Sequence, residues 1–169
     1  IIMHYCNGIL DELFPTYQSV HISTHLMPST EQEIAVNKTK YKFVCGTNLL
    51  TSNIEHHWRW ILPDGVRRKM NYRNVILLGV GWGEYQDNCT DYTRMIYRVM
   101  LNPNLIHSVR DQYTLEKLKQ VGFKNVINTG CPTTWALTPE FCSEIPERKS
   151  NDVVTTITDY RRDIEKDNE

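Results

Sequence analysis

Four short runs of small, charged or hydrogen-bonding residues each follow an apolar run: Gly46-Thr47-Asn48, Gly79-Val80-Gly81-Trp82-Gly83, Arg110-Asp111 and Thr129-Gly130-Cys131-Pro132-Thr133. Residues of these types suit recognition of an anion or a polyhydroxyl compound. Arginine grips a carboxylate or phosphate through two parallel hydrogen bonds. Glycine lets backbone amides approach a ligand closely, and a helix N-terminus adds free N–H donors. Arg110 and Asp111 are the candidate catalytic pair. Gly46, Thr47, Asn48, Gly79, Gly81, Trp82, Gly130, Cys131, Pro132 and Thr133 are the candidate substrate contacts. Asp111 would serve equally well as the cap of the helix that follows it, and Arg110 as a surface residue.

Other constellations point to less. Gly79-x-Gly81-x-Gly83 has its third glycine one place too early for G-x-G-x-x-G. No acidic residue closes a second strand about 20 residues on, so a dinucleotide is not indicated. His56 and His57 are adjacent, so they do not present one helical face to a metal, and no metal site is expected. The run His-His-Trp-Arg-Trp at 56–60 reads as a Trp-rich core or loop. Cys131, beside Pro132, reads as a buried, inert thiol rather than a nucleophile.

The elements that would carry these loops alternate. Helices are expected over 2–13, 31–36, 91–100 and 112–121. In the last of these Leu115, Leu118 and Val121 recur at helical spacing, and Gly122 stands where a C-cap belongs. Strands are expected over 18–23, 41–45, 74–78, 105–109, 124–128 and 152–158, with 49–60 mixed. Several of the strands are short continuous apolar runs, the pattern of a mostly parallel sheet covered on both faces. The fold class expected is therefore α/β, a Rossmann-like parallel sheet with flanking helices. In such a sheet ligands bind outside the carboxyl ends of the strands, which would bring all four loops together. The sequence opens inside a helix with no strand before it and stops as another helix would start. The expectation is a fragment: residues 1–137 a Rossmann-like domain without its first strand, 138–150 a linker, and 151–169 the start of a second Rossmann-like domain.

Bulk properties exclude several classes. The 169 residues suit one domain or one and a part. A formal net charge of −1 and a pI near 6.7 do not fit a nucleic-acid partner, which a basic face would announce. The cluster Arg67-Arg68-Lys69 reads as a solvated loop. No apolar run reaches the ~20 residues of a membrane span, and no signal peptide is visible. The five cysteines, Cys6, Cys45, Cys89, Cys131 and Cys142, are scattered without a C-x-x-C. Neither a disulfide framework nor structural zinc is indicated, and a reducing, cytosolic setting fits. Sequon-like triplets at Asn37 and Asn88 are too short to weigh against this.

SVRDQYTLEKLKQVGFKNVINTGCPTTWAL from Ser108, followed by VVTTITDYRRD from Val153, resembles the polysaccharide pyruvyl transferase family. Its members carry a Ser-x-Arg-Asp step, a helix closed by glycine, an Asn-Val strand and a Thr-Gly-(Asp or Cys)-Pro loop. YKFVCGTNLL and NVILLGVGWG resemble the family's preceding strands and glycine loops. The likeness spans roughly residues 41–160; order and spacing carry it more than any one motif. Three departures stand out. Gly46-Thr47-Asn48 replaces a Gly-Gly type loop, Cys131 replaces the frequent Asp of Gly-Asp-Pro, and no Asn-x-Gly-Asp segment occurs near the start. The resemblance implies a GT-B-like two-domain fold with the active site between Rossmann-like halves. It implies phosphoenolpyruvate as donor, with no further cofactor, and a pyruvyl ketal formed on two hydroxyls of a sugar or lipid-linked glycan. Arg110 would bind the donor's anion and Asp111 would act in support or as acid/base. Location would be cytoplasmic, compatible with peripheral contact at the inner face of the membrane. Two other readings share this reasoning: a GT-B glycosyltransferase using a nucleotide-sugar, and a non-catalytic glycan-binding or assembly domain.

Overall fold

The computed structural model describes residues 2–56, 60–63, 72–148 and 151–155. His57, the basic cluster Arg67-Arg68-Lys69 and the end of the chain lie outside the described residues. Two compact units are present, Ile1–Ala136 and Leu137–Glu169.

In the first unit the order is α1 (Ile2–Leu13), α2 (Thr30–Lys38), β1 (Lys42–Cys45), β2 (Asn48–Leu50), β3 (Val75–Leu78), β4 (Gly81–Trp82), α3 (Asp91–Met100), β5 (His107–Val109), α4 (Gln112–Val121) and β6 (Val126–Asn128). Single turns of 3-10 helix occupy Ile54–His56 and Pro132–Thr134. Every strand pair is parallel: β1 with β3, β2 with β4, and β5 with β6. This is the α/β, parallel-strand class that the apolar runs imply.

Local chemistry sets the helix ends. Ser29 and Gln32 form a capping box at the start of α2. Thr90 caps α3 by accepting from the Thr93 amide at 3.1 Å. Asp111 caps α4, and Gly122, at φ 115°, closes it in the left-handed conformation. On α3 the buried residues are Thr93, Ile96, Tyr97 and Met100, a single helical stripe. Together with Leu50, Leu77, Val80, Val109, Leu118 and Val121 they make the core. Burying each such aliphatic side chain stabilises by about 1.5–3 kcal/mol. Tyr97 locks this core to the loop after β2, because its hydroxyl accepts from the Thr51 amide and donates to the Thr51 carbonyl, both at 2.9 Å.

β1 runs into β2, and β3 into β4, through matched kinks. Gly46 (φ 59°) and Thr47 (φ 54°) bend the first, and Gly79 (φ 63°) the second. The Gly46 amide donates to Leu78 O and the Gly81 amide to Thr47 O, each at 2.8 Å, so the two strands turn together without losing partners. Between β3 and β5 side chains supply much of the pairing. The Leu77 amide donates to Nδ1 of His107 at 3.2 Å. The Gly79 amide donates to both the carbonyl and the hydroxyl of Ser108 at 3.0 Å. One parallel bridge joins Val80 to Val109. β1, β3, β5 and β6 thereby lie side by side.

Three expectations are corrected. Residues 18–23 form no strand: Val20 is 57 % exposed, and the segment lines a largely apolar cavity of about 840 Å³ together with α1 and β1. Alternation assigns side chains to faces, but a strand exists only through backbone pairing, and here β1 pairs with β3 alone among the described residues. The strand expected over 105–109 begins at His107. Asn102 turns the chain before it, accepting from the Asn104 amide at 2.9 Å, and Leu105 and Ile106 stay exposed. In the second unit, residues 152–155 form no strand, and 156–158 lie outside the described residues. α5 (Pro139–Ser143) interrupts the stretch read as a linker, its start fixed by the Thr138 hydroxyl, which accepts from the Phe141 amide. All five cysteines carry free thiols. Among the described residues no helix is long and apolar enough to cross a membrane.

Two stability predictions follow from the sheet. A Cβ at Gly79 would lie 2.2 Å from Cγ of Pro132, in a left-handed conformation. Gly79→Ala should therefore cost about 2–5 kcal/mol, which urea unfolding would read. Burial pushes the His107 imidazole below its ordinary value of 6.5. The unfolded chain then takes up a proton that the folded chain refuses. Stability is complete above about pH 6.5 and is lost as the pH falls towards the depressed folded value. Melting temperatures between pH 8 and 5 should fall more steeply for the wild type than for His107→Gln.

Candidate functional site

The structure brings the four loops together at the carboxyl ends of the parallel strands. The Arg110 amide donates to Val80 O at 3.1 Å, and the Thr129 amide to Val109 O at 2.9 Å. Backbone bonds thus run from the Thr47 loop through the Gly81 and Arg110 loops to Thr129. Gly79 meets Pro132, and Gly81 is wedged between Asn48 and Arg110: a Cβ there would lie 2.4 Å from Oδ1 of Asn48 and 2.5 Å from Cδ of Arg110. Only glycine lets these two side chains close over the strand end.

Arg110 is the centre of the cluster. It is half-buried, and its Nη1 donates to Oδ1 of Asn48 at 3.1 Å. Among the described residues no carboxylate pairs with it. The neighbouring Asp111 turns away to cap α4, accepting from the Thr114 amide at 2.7 Å. A guanidinium with one side-chain partner among the described residues therefore stands beside the N-terminus of a ten-residue helix. Both features favour a bound anion.

The other candidates divide by exposure. Asn48 is exposed; Thr47, Gly130, Cys131 and Thr133 are half-buried along the same edge. Gly46, Gly79, Gly81 and Pro132 are buried and act by allowing close packing. Trp82, expected as a substrate contact, belongs to the core. Its indole is 5 % exposed, stands edge-on to Tyr97 and donates to Oε1 of Gln86. Cys131 is half-buried rather than buried, and its sulfur accepts from the Thr133 hydroxyl at 3.2 Å.

Two residues that were not among the candidate contacts, Ser108 and Thr129, shape the same edge. The Ser108 and Thr129 hydroxyls bond each other, and Ser108 also receives the Gly79 amide. They fix the spacing of the Gly79, Arg110 and Gly130 loops. A hydroxyl residue within two positions of a candidate loop residue was the signal available for both. Thr47 adds a buried Oγ1 with no hydrogen-bond partner among the described residues, a group whose desolvation is uncompensated until something bonds it.

The capping role of Asp111 is separable from acid/base work. Asp111→Ala should lower the unfolding free energy by about 0.5–2 kcal/mol, and Asp111→Asn, which still caps, should lose little. Chemical denaturation of the two variants checks this. Equal losses in both would show that the charge, rather than the cap, matters.

No curated protein and no solved structure matched the chain. The family model of polysaccharide pyruvyl transferases matches residues 1–169, the full sequence, including the strand-end loops that converge on Arg110. The chain belongs to the polysaccharide pyruvyl transferase family.

Proposed function

We propose that the first unit forms part of the donor site of an enzyme that transfers the pyruvyl group of phosphoenolpyruvate to two hydroxyls of a glycan, and that Arg110 binds the donor's phosphate or carboxylate. The observation that carries this reading is the guanidinium at the sheet's carboxyl edge, with one side-chain partner, Asn48, and no carboxylate partner among the described residues. Phosphoenolpyruvate offers two anionic groups, each matched to a planar fork.

The chemistry asks three things of the site. A proton must reach the methylene carbon, which makes the adjacent carbon electrophilic. A sugar hydroxyl then attacks that carbon and gives up its proton to a base. A second hydroxyl closes the ketal as phosphate leaves, carrying the negative charge that Arg110 is placed to stabilise. One hydroxyl proton is thus replaced on the methyl carbon and the other departs with phosphate. Asp111, committed to the α4 cap, supports the loop. The general acid belongs to a facing element. This agrees with a GT-B-like arrangement, in which a second Rossmann-like half closes over the donor and brings further cationic residues. The scattered free thiols favour a cytoplasmic setting, and an acceptor carried on lipid would draw the enzyme to the membrane's inner face.

Steady-state kinetics on the active full-length protein tests the assignment. A charged hydrogen bond contributes about 1.5–3 kcal/mol, so Arg110→Ala should cut kcat/KM for phosphoenolpyruvate by roughly 10- to 150-fold. Arg110→Lys keeps the charge but loses the fork, and should recover only part of the loss. A folded Arg110→Ala enzyme with wild-type kcat/KM would overturn the role. Release of a nucleotide in place of phosphate would favour the nucleotide-sugar reading.

A further inference from the structure

We infer that the groove along α4, between Tyr113 and Gln120, is a glycan subsite that holds sugar units of the acceptor beyond the one being modified. The inference rests on the transferase reading for its place in the reaction, but not for the binding itself.

The groove has a volume of about 510 Å³. Tyr113, Glu116, Lys117 and Gln120 form one wall, and they recur at i, i+3, i+4 and i+7, a single face of the helix. Gln86 and Asp87, from the loop that follows β4, form the other wall. That loop leaves β4 at Gly83, two residues after the Gly81 that packs against Arg110. Amide side chains, which both give and take hydrogen bonds, and carboxylates, which take them, suit a polyhydroxyl compound better than a plain anion, which Glu116 and Asp87 would repel.

The groove is rigid where it needs to be. The Tyr113 hydroxyl accepts from the Gln86 amide at 2.8 Å and donates to the Gln86 carbonyl at 3.0 Å, pinning the loop to the helix. Lys117 is 5 % exposed. Its ammonium bonds the Asp87 carbonyl and lies 5.8 Å and 5.6 Å from the ring centroids of Trp82 and Tyr113. It therefore carries a fixed, aromatic-backed set of donors at the groove floor.

An exposed aromatic ring borders the groove. Tyr85 is 90 % exposed, yet its ring is held edge-to-face against Tyr113, centroids 4.8 Å apart. An oriented ring left open to water is a platform for the apolar C–H face of a pyranose. The reach is also right. From Arg110 to Lys117 the helix rises about 10 Å at 1.5 Å per residue, a span that two linked sugars cover.

Tyr85→Ala tests the inference, because so exposed a side chain carries little of the fold. Binding of wild type and variant would be measured on an array of immobilised di- to hexasaccharides, with turnover of phosphoenolpyruvate on the oligosaccharides bound. The variant should bind chains of three or more units roughly 3- to 10-fold more weakly, with no change in KM for phosphoenolpyruvate. Gln120→Ala should shift binding in the same direction. Equal affinity of variant and wild type, or a wild type that binds no oligosaccharide, overturns the subsite. Weakened binding without any phosphoenolpyruvate turnover keeps the subsite and removes the transfer reading.

Discussion

Arg110 can reach Asn48 because β3 and β5 lie side by side, and that alignment is carried by side chains as well as by the backbone. His107 takes the Leu77 amide, and Ser108 takes the Gly79 amide through both its carbonyl and its hydroxyl. A regular ladder would run straight and hold the strand ends level. Replacing ladder bonds with an imidazole and a hydroxyl lets β3 kink at Gly79 and still keep its donors satisfied, as buried amides must be. The kink in β1 at Gly46 follows because the two strands share bonds across it. The bent strand ends, the closed approach at Gly81 and the placement of Arg110 all depend on this one irregular seam.

The division of labour between Arg110 and Asp111 has the same origin. Adjacent residues of opposite charge at a helix start could neutralise each other. Here the helix takes the carboxylate, which caps Thr114, and leaves the cation without a counter-charge among the described residues. An acidic cap and a free arginine next to each other give a loop that is ordered before any ligand arrives. Preorganised donors of this kind require little rearrangement when charge develops on a bound group.

How much of this was legible in the sequence depends on whether the signal was local. α4 was fully legible, from Leu115, Leu118, Val121 and the glycine that ends it. The β3 run and the glycine loops after β1 and β3 were legible because short apolar runs that stop at glycine suit buried parallel strands. The convergence of the loops followed from strand direction alone. Residues 18–23 misled because period-2 alternation says nothing about whether a partner strand is present. Trp82 misled because an aromatic between two glycines looks exposed, while the fate of its ring is decided by Tyr97 and Lys117, which lie far along the chain. The Ser108–Thr129 hydroxyl pair and the cavity beside β1 are products of tertiary packing and leave no mark in the spacing of residues.

Gly79 and Pro132 also bear on how such a chain can change over generations. The proline ring fills the space that a side chain at position 79 would need, although the two are distant in sequence. Each position is therefore conditional on the other. Loss of the ring removes the clash for a side chain at 79 and leaves only the strain of its left-handed backbone, whereas a side chain gained first meets both. Drift at this edge of the sheet is thus ordered in time, with changes at 132 preceding those at 79. Paired variation at these two positions would be the trace it leaves among related chains.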